Sequence, residues 1–131
     1  MLRACHRALK PGGRIAYYNI LINEGLPAAE RRRIAKDTPD GVYTPAQQQG
    51  LLRTAGFTHI QETDVSAEFL RVQRALLDAN ERHARGVRRA LGADPFDERQ
   101  ARRRRTIRAL EAGTRRRSLL VAQRPPRARR H

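Results

Sequence analysis

Cysteine is nearly absent from this chain. Cys5 is the only one among 131 residues, so no disulfide can close within the chain and no Cys/His cluster suggests a metal site. Cys5 falls on the apolar face of a predicted helix and reads as a small buried hydrophobe rather than a nucleophile. Long apolar runs are also missing. No stretch is long enough to span a membrane, and nothing at Met1 has the pattern of a signal peptide. The expected location is therefore cytoplasmic, with no membrane partner. Aromatic residues make up 5% of the chain, and no Lys/Arg-Gly-Phe stacking motif occurs. That argues against a platform for single-stranded nucleic acid. Lysine is scarce as well: Lys10 and Lys36 are the only two.

Arginine supplies what lysine does not. The 28 basic residues against 13 acidic ones give a formal net charge of +15 and a pI near 11.7. A phosphate-bearing partner is one reading of that balance. The other is a set of solvated helix faces. Without a recognition motif, nucleic acid is possible but not favoured as a partner. The length suits one small domain.

The organising stretch is Leu2 to Ile22. Leu2, Cys5, His6 and Leu9 recur at helical spacing. Lys10-Pro11-Gly12-Gly13 stops that helix, because proline lacks the continuing N–H and glycine accepts positive φ. Arg14 to Ile22 is then a nearly continuous apolar run. It predicts a strand covered on both faces, as in a parallel sheet. The phrase Leu9-Lys10-Pro11-Gly12-Gly13 and the strand after it resemble the segment that enters strand five of class I S-adenosylmethionine-dependent methyltransferases. Leu51 to Phe57 is similar to the helix that leads into strand six of that family, and Leu119 to Pro125 to its last strand.

The resemblance implies a partial Rossmann-like α/β fold. It would hold the last three strands of a mixed parallel/antiparallel sheet, with a helical insertion between the last two. Residues 1–125 would form the C-terminal part of a methyltransferase domain, with a helical cap or lid at about 67–112. Residues 126–131 would form a basic disordered tail. The implied cofactor is S-adenosyl-L-methionine, and the implied substrate a small-molecule methyl acceptor. The family's cofactor site needs a glycine-rich turn after strand one and an acidic residue after strand two. No G-x-G occurs in this sequence, and Gly12-Gly13 precedes a strand instead of following one. No cofactor-binding residue can therefore be assigned. The chain is expected to be inactive alone and truncated relative to the family, since Met1 opens inside a helix. It is expected to be marginally stable and to associate, with itself or with an N-terminal half, through the exposed edge of its first strand. The alternative is a non-enzymatic arginine-rich module for nucleic acid or another polyanion.

The rest of the chain supplies the candidate site residues. Pro27 to Asp37 predicts a short polar helix, and Thr38-Pro39-Asp40-Gly41 a turn. In the resembled family the loop after strand five borders the substrate pocket, which makes Asn23 and Tyr43 candidate substrate-side groups. Read from the sequence alone, they are an ordinary turn asparagine and a packed loop aromatic. Thr44-Pro45-Ala46-Gln47 carries a capping-box signature. Thr58 to Val65 reads as an outer strand with His59 at its surface. Ser66 to Leu91 reads as one long helix, with His83 as the only ionisable group on its apolar stripe. His83 is either a packed core histidine or a candidate catalytic base. Asp94-Pro95 predicts the cap and first position of a further helix that ends at Gly113. Ser118 to Ala122 predicts the last strand.

Overall fold

A computed structural model describes residues 1–37 and 43–128. Its elements in chain order are α1 (Leu2–Ala8), β1 (Arg14–Ile22), α2 (Ala28–Asp37), α3 (Pro45–Thr54), β2 (Thr58–Asp64), α4 (Ser66–Arg82), α5 (Ala84–Leu91), α6 (Ala93–Ala112) and β3 (Arg115–Gln123). The turn expected at Thr38 to Gly41 lies outside the described residues, as do residues 129–131 of the expected tail. Among the described residues, no helix is long and apolar enough to cross a membrane.

The chain divides into two compact units. One joins Met1–Asp64 to the chain from Arg116 onward; the other is Val65–Arg115. The first unit is a three-stranded sheet in the order β1-β3-β2. β2 pairs antiparallel with β3, with Glu62 opposite Leu120 and Asp64 opposite Ser118. The direction of β1 follows from its two ends. Before it, Gly12 donates to the carbonyl of Arg124 and Gly13 accepts from the Arg124 amide. Past its other end, Asn23 accepts from the Arg116 side chain. The start of one strand thus meets the end of the other, so β1 and β3 run in opposite directions. The sheet is mixed, as expected, with β1 and β2 parallel to each other on either side of a reversed β3.

Leu21, Leu52, Phe57, Leu120 and Ala122 form the core of this unit. Leu2, Cys5 and Leu9 from α1, Ala55 from the end of α3, and Ile15 and Tyr17 from β1 pack around it. Cys5 is thus the half-buried packing residue its position predicted. α3 is fixed at its start by the capping box the sequence announced. The Gln47 amide donates to Thr44 Oγ1, and the Gln47 side chain accepts from the Thr44 amide. β2 carries an irregularity between Thr58 and Gln61. There His59 adopts φ +50, which breaks the pairing and leaves the histidine at the surface.

Three expectations change. β1 is covered on one face, not both. Its residues alternate between exposed and half-buried from Arg14 to Asn19, and full burial begins only at Leu21. The reason is that Ile15 and Tyr17 meet the α1 and α3 residues of the core, whereas Tyr18 stays 58% exposed. The long helix of Ser66 to Leu91 is two helices, α4 and α5, broken at His83, whose φ of −108° and ψ of 25° leave the helical region. α6 starts at Ala93 with Gly92 as its cap, so Asp94 sits in the first turn rather than capping it.

The second unit packs α4 and α5 against α6. Its buried polar centre is Gln100, only 2% exposed. The Gln100 amide donates to the Leu77 carbonyl, and its oxygen accepts from Arg103 at 2.7 Å. Arg103 also donates to Gln73, and Arg104 pairs with Glu81. The arginines of α6 are thus partly spent on holding helices together.

Candidate functional site

Two polar clusters flank β1. The first opens beside its middle, where a cleft of about 580 Å³ is lined in part by Tyr17, Tyr18, Asn19, Tyr43 and Gln48. All three tyrosines of the chain line it. Gln48 stands one helical turn before Leu52 and shares its buried face, and it is only 4% exposed. Its amide donates to the Tyr17 hydroxyl at 2.6 Å, and its oxygen accepts a longer contact from Asn19 at 3.5 Å. Burial pushes the Tyr17 phenol above its usual value. The Gln48 hydrogen bond pulls it down and nearby Cys5 adds a smaller push upward. Tyr17 therefore stays protonated near neutral pH and offers a donor, not a base.

The second cluster lies where β1 ends and β3 begins. Arg116 Nη1 stands 3.0 Å from Glu62 Oε1, with the two side chains 25% and 11% exposed. Arg116 Nε donates to Asn23 Oδ1. Ser118, fully buried, donates to the same Glu62 oxygen at 3.2 Å. Arg116 and Glu62 also line a smaller hollow with Glu24, Pro45, Ala46 and Gln49. The paired charges and the buried hydroxyl satisfy one another, which a dry interior requires.

The candidate residues from the sequence fall in different places. Tyr43 is on the rim of the cleft, and its carbonyl accepts from the Ile22 amide at 3.0 Å. Asn23 belongs to the Arg116 cluster. His83 is exposed at the break between α4 and α5. Sequence reasoning passed over Tyr17, Gln48, Glu62 and Arg116. Gln48 had a legible signal, since its spacing to Leu52 and Ala55 puts it on the buried face of α3. Arg116 and Glu62 had none, because their pairing spans the whole helical unit in sequence.

The turn after β1 does not have the residues of a cofactor cradle. Gly25 is the one glycine in the turn after β1. In that same turn the Glu24 carboxylate accepts from the Ala46 amide at 3.1 Å, and Asn23 is engaged by Arg116. A turn that receives a nucleoside-bearing cofactor needs successive glycines and a carboxylate for the sugar. Among the described residues, no group of three or more His, Cys, Asp or Glu could hold a metal ion.

No protein-family model matches the sequence, and no curated protein does. Solved structures do match. The phosphoethanolamine N-methyltransferase 2 of Haemonchus contortus, solved with phosphomonomethylethanolamine and S-adenosylhomocysteine, superposes with a TM-score of 0.78 at 14% identity. That match covers 95% of this chain and 29% of the other. The cyclopropane synthase MmaA2 of Mycobacterium tuberculosis gives a TM-score of 0.72 at 15% identity, over 93% of this chain and 48% of that one. The geranyl diphosphate C-methyltransferase of Streptomyces coelicolor A3(2) gives 0.60 at 16% identity, over 94% of this chain and 40% of that one. This chain thus has the fold of a portion of class I S-adenosylmethionine-dependent methyltransferases, and it spans half or less of the length of these structures.

Proposed function

We propose that this chain forms the acceptor-side, C-terminal portion of an S-adenosylmethionine-dependent methyltransferase that acts on a small-molecule acceptor. The observation that carries the reading is the sheet order β1-β3-β2 with β3 reversed, together with the superposition on solved methyltransferases over 95% of the chain. The order of the three sequence resemblances supports it. So do the ligands of two of the similar structures, phosphomonomethylethanolamine in one and geranyl diphosphate in another.

The cofactor would supply an activated methyl group. Because the residues here do not fit its cradle, the cofactor loops belong on other polypeptide and the 131-residue chain alone does not transfer methyl groups. Its own contribution is to position an acceptor, the largest part of such catalysis. Asn23, at the carboxyl end of β1, and Tyr43, on the cleft rim, are the acceptor-side groups on this reading. On this reading residues 67–112 belong to a helical cap or lid, and His83 is the candidate catalytic residue. The sheet continues past β1 onto the polypeptide that carries the cofactor loops.

The test is the intact mass of the native protein, followed by S-adenosylmethionine binding by that native material. A mass well above 15.0 kDa, with saturable binding of the cofactor, is the expected result. A native chain of 15.0 kDa that neither binds the cofactor nor purifies with a protein that does would overturn the reading.

A further inference from the structure

α4 has two faces, and α6 takes only one of them. Gln73 accepts from Arg103, the Asn80 amide donates to Gln100, and the Leu77 carbonyl accepts from Gln100. These three residues mark the side that packs on α6. Val72 and Leu76 lie elsewhere on the helix and stay 42% and 41% exposed. With Ala75 and Ala79 they floor a shallow groove of about 420 Å³, bounded by Arg71 and Arg82. Apolar side chains gathered in one exposed groove with a charged rim mark a contact surface.

The spacing along this face says what kind of contact it makes. Glu68, Val72, Ala75, Ala79 and Arg82 follow one another at steps of four, three, four and three. That is the spacing of a coiled-coil seam. The seam has an acid at its start, a base at its end, and apolar or small residues between. Turned end for end, it is its own complement. In an antiparallel pair Arg82 of each copy comes beside Glu68 of the other, and Val72 beside Ala79. Ala75 then meets its own counterpart on the two-fold axis, as a self-complementary interface requires. The methyl side chains of Ala75 and Ala79 let the two helix axes approach to about 8 Å.

Charge admits a second copy at this place. The chain as a whole carries +15, so two copies repel over most of their surface. α4 is balanced, with Arg71, Arg74 and Arg82 against Glu68, Asp78 and Glu81. Arg74 and Glu81 are spent on Glu111 and Arg104 of α6. The other four form two exposed pairs within the helix, Glu68 with Arg71 and Asp78 with Arg82, and such pairs exchange partners at little cost. We infer that the chain forms a two-fold dimer through α4, its antiparallel seams running from Glu68 to Arg82 over about 21 Å. One helix pair is a small interface, so the dimer is weak and its population follows concentration. The inference stands apart from the functional reading, since it needs neither cofactor nor acceptor.

Sedimentation equilibrium of the 131-residue chain reads the dimer directly. Ala75 is exposed, and glutamate is a good helix former. Ala75→Glu puts two like charges on the two-fold axis; it should abolish the dimer with an unchanged circular dichroism spectrum. Charge exchange then tests the register. Glu68→Arg and Arg82→Glu each turn two attractive pairs into repulsive ones and should weaken the dimer about tenfold. Mixing the two single variants should restore a heterodimer. The double variant, Glu68→Arg with Arg82→Glu, should return to near wild-type affinity. Only an antiparallel pair in this register gives that pattern. A cross-link reads α4 even where the chain also associates by another surface. In a Cys5→Ala background, Ala75→Cys should form an intermolecular disulfide under mild oxidation, and Ala67→Cys, away from the seam, should not. A wild-type chain that stays monomeric at every concentration would overturn the inference, and would leave the groove to a different partner. So would a dimer indifferent to Ala75→Glu, or single charge variants that neither mixing nor combination rescues.

Discussion

Replacing Glu62 with alanine should cost about 4 kcal/mol of stability, far more than a surface charge. Glu62 Oε1 accepts from both Arg116 and Ser118. Removing one partner of a buried ion pair costs about 3–5 kcal/mol, because the remaining charge is left uncompensated. Arg116 keeps its contact with Asn23 and is 25% exposed, which puts its share near the low end, about 3 kcal/mol. Ser118 is fully buried and loses its acceptor, which adds about 1 kcal/mol. With a urea dependence of about 1–3 kcal/mol per molar, the unfolding midpoint should fall by roughly 1.5–4 M. Circular dichroism in a urea titration measures it. Charge removal without loss of shape, in Glu62→Gln, should cost clearly less. The triple change Glu62→Leu, Arg116→Met, Ser118→Ala removes every group that the single change strands, and should be more stable than Glu62→Ala. A single-variant cost under about 1 kcal/mol, the range of exposed pairs, would refute this account. So would a multiple variant whose loss equals the sum of its parts.

Gly56 adopts φ +100°, and an added Cβ would stand 2.9 Å from His6 Nε2. Gly56→Ala should therefore lower stability by about 1–3 kcal/mol and shift the His6 ring off its edge-on contact with Phe57, visible as a change in the His6 ring proton resonances. Thr44→Ala removes one half of the α3 capping box and should cost about 1 kcal/mol in the same urea titration. Tyr17 has its folded pKa raised above the ordinary 10.0. Its contribution to stability is whole below pH 10.0 and is lost as pH rises through the higher folded value. Stability should fall as pH rises above 10.0, and Tyr17→Phe should flatten the fall, as urea midpoints measured on either side of pH 10.0 will show.

Where the fold was legible, local chemistry was sufficient to specify it. The spacing of Leu2, Cys5 and Leu9 gave the packed face of α1, and all three meet the core. Thr44 and Gln47 announced a cap that forms as written. Gly113 closes α6 in the left-handed region, as a glycine stop should. Where legibility failed, the deciding partner was remote. β3 begins at Arg115, three residues before the expected start, because three arginines in a row do not read as strand. Arg116 is tolerated there by Glu62, and Arg117 lies over the ring of Tyr18. Neither partner is near in sequence. The break at His83 was hidden because the apolar stripe continues in phase through it. The stripe constrains side-chain faces and does not by itself hold the backbone helical.

The apolar composition of β1 admits two explanations, and the structure separates them. A strand buried on both faces needs apolar residues throughout. Here only one face is covered, yet Tyr18 remains apolar and 58% exposed on the other. Proteins that keep an edge strand permanently in solvent tend to place charge, proline or a bulge along it. β2 does so: it ends in the exposed Asp64 and carries the irregularity at His59. β1 instead has its charge at Arg14, where the exposed stretch begins, and its two closures, the Ile20 amide on Asn19 and the Ile22 amide on Tyr43, after it. The same short sheet therefore has one edge built for solvent and one that is not. That asymmetry is a property of the residues themselves and does not depend on any relative.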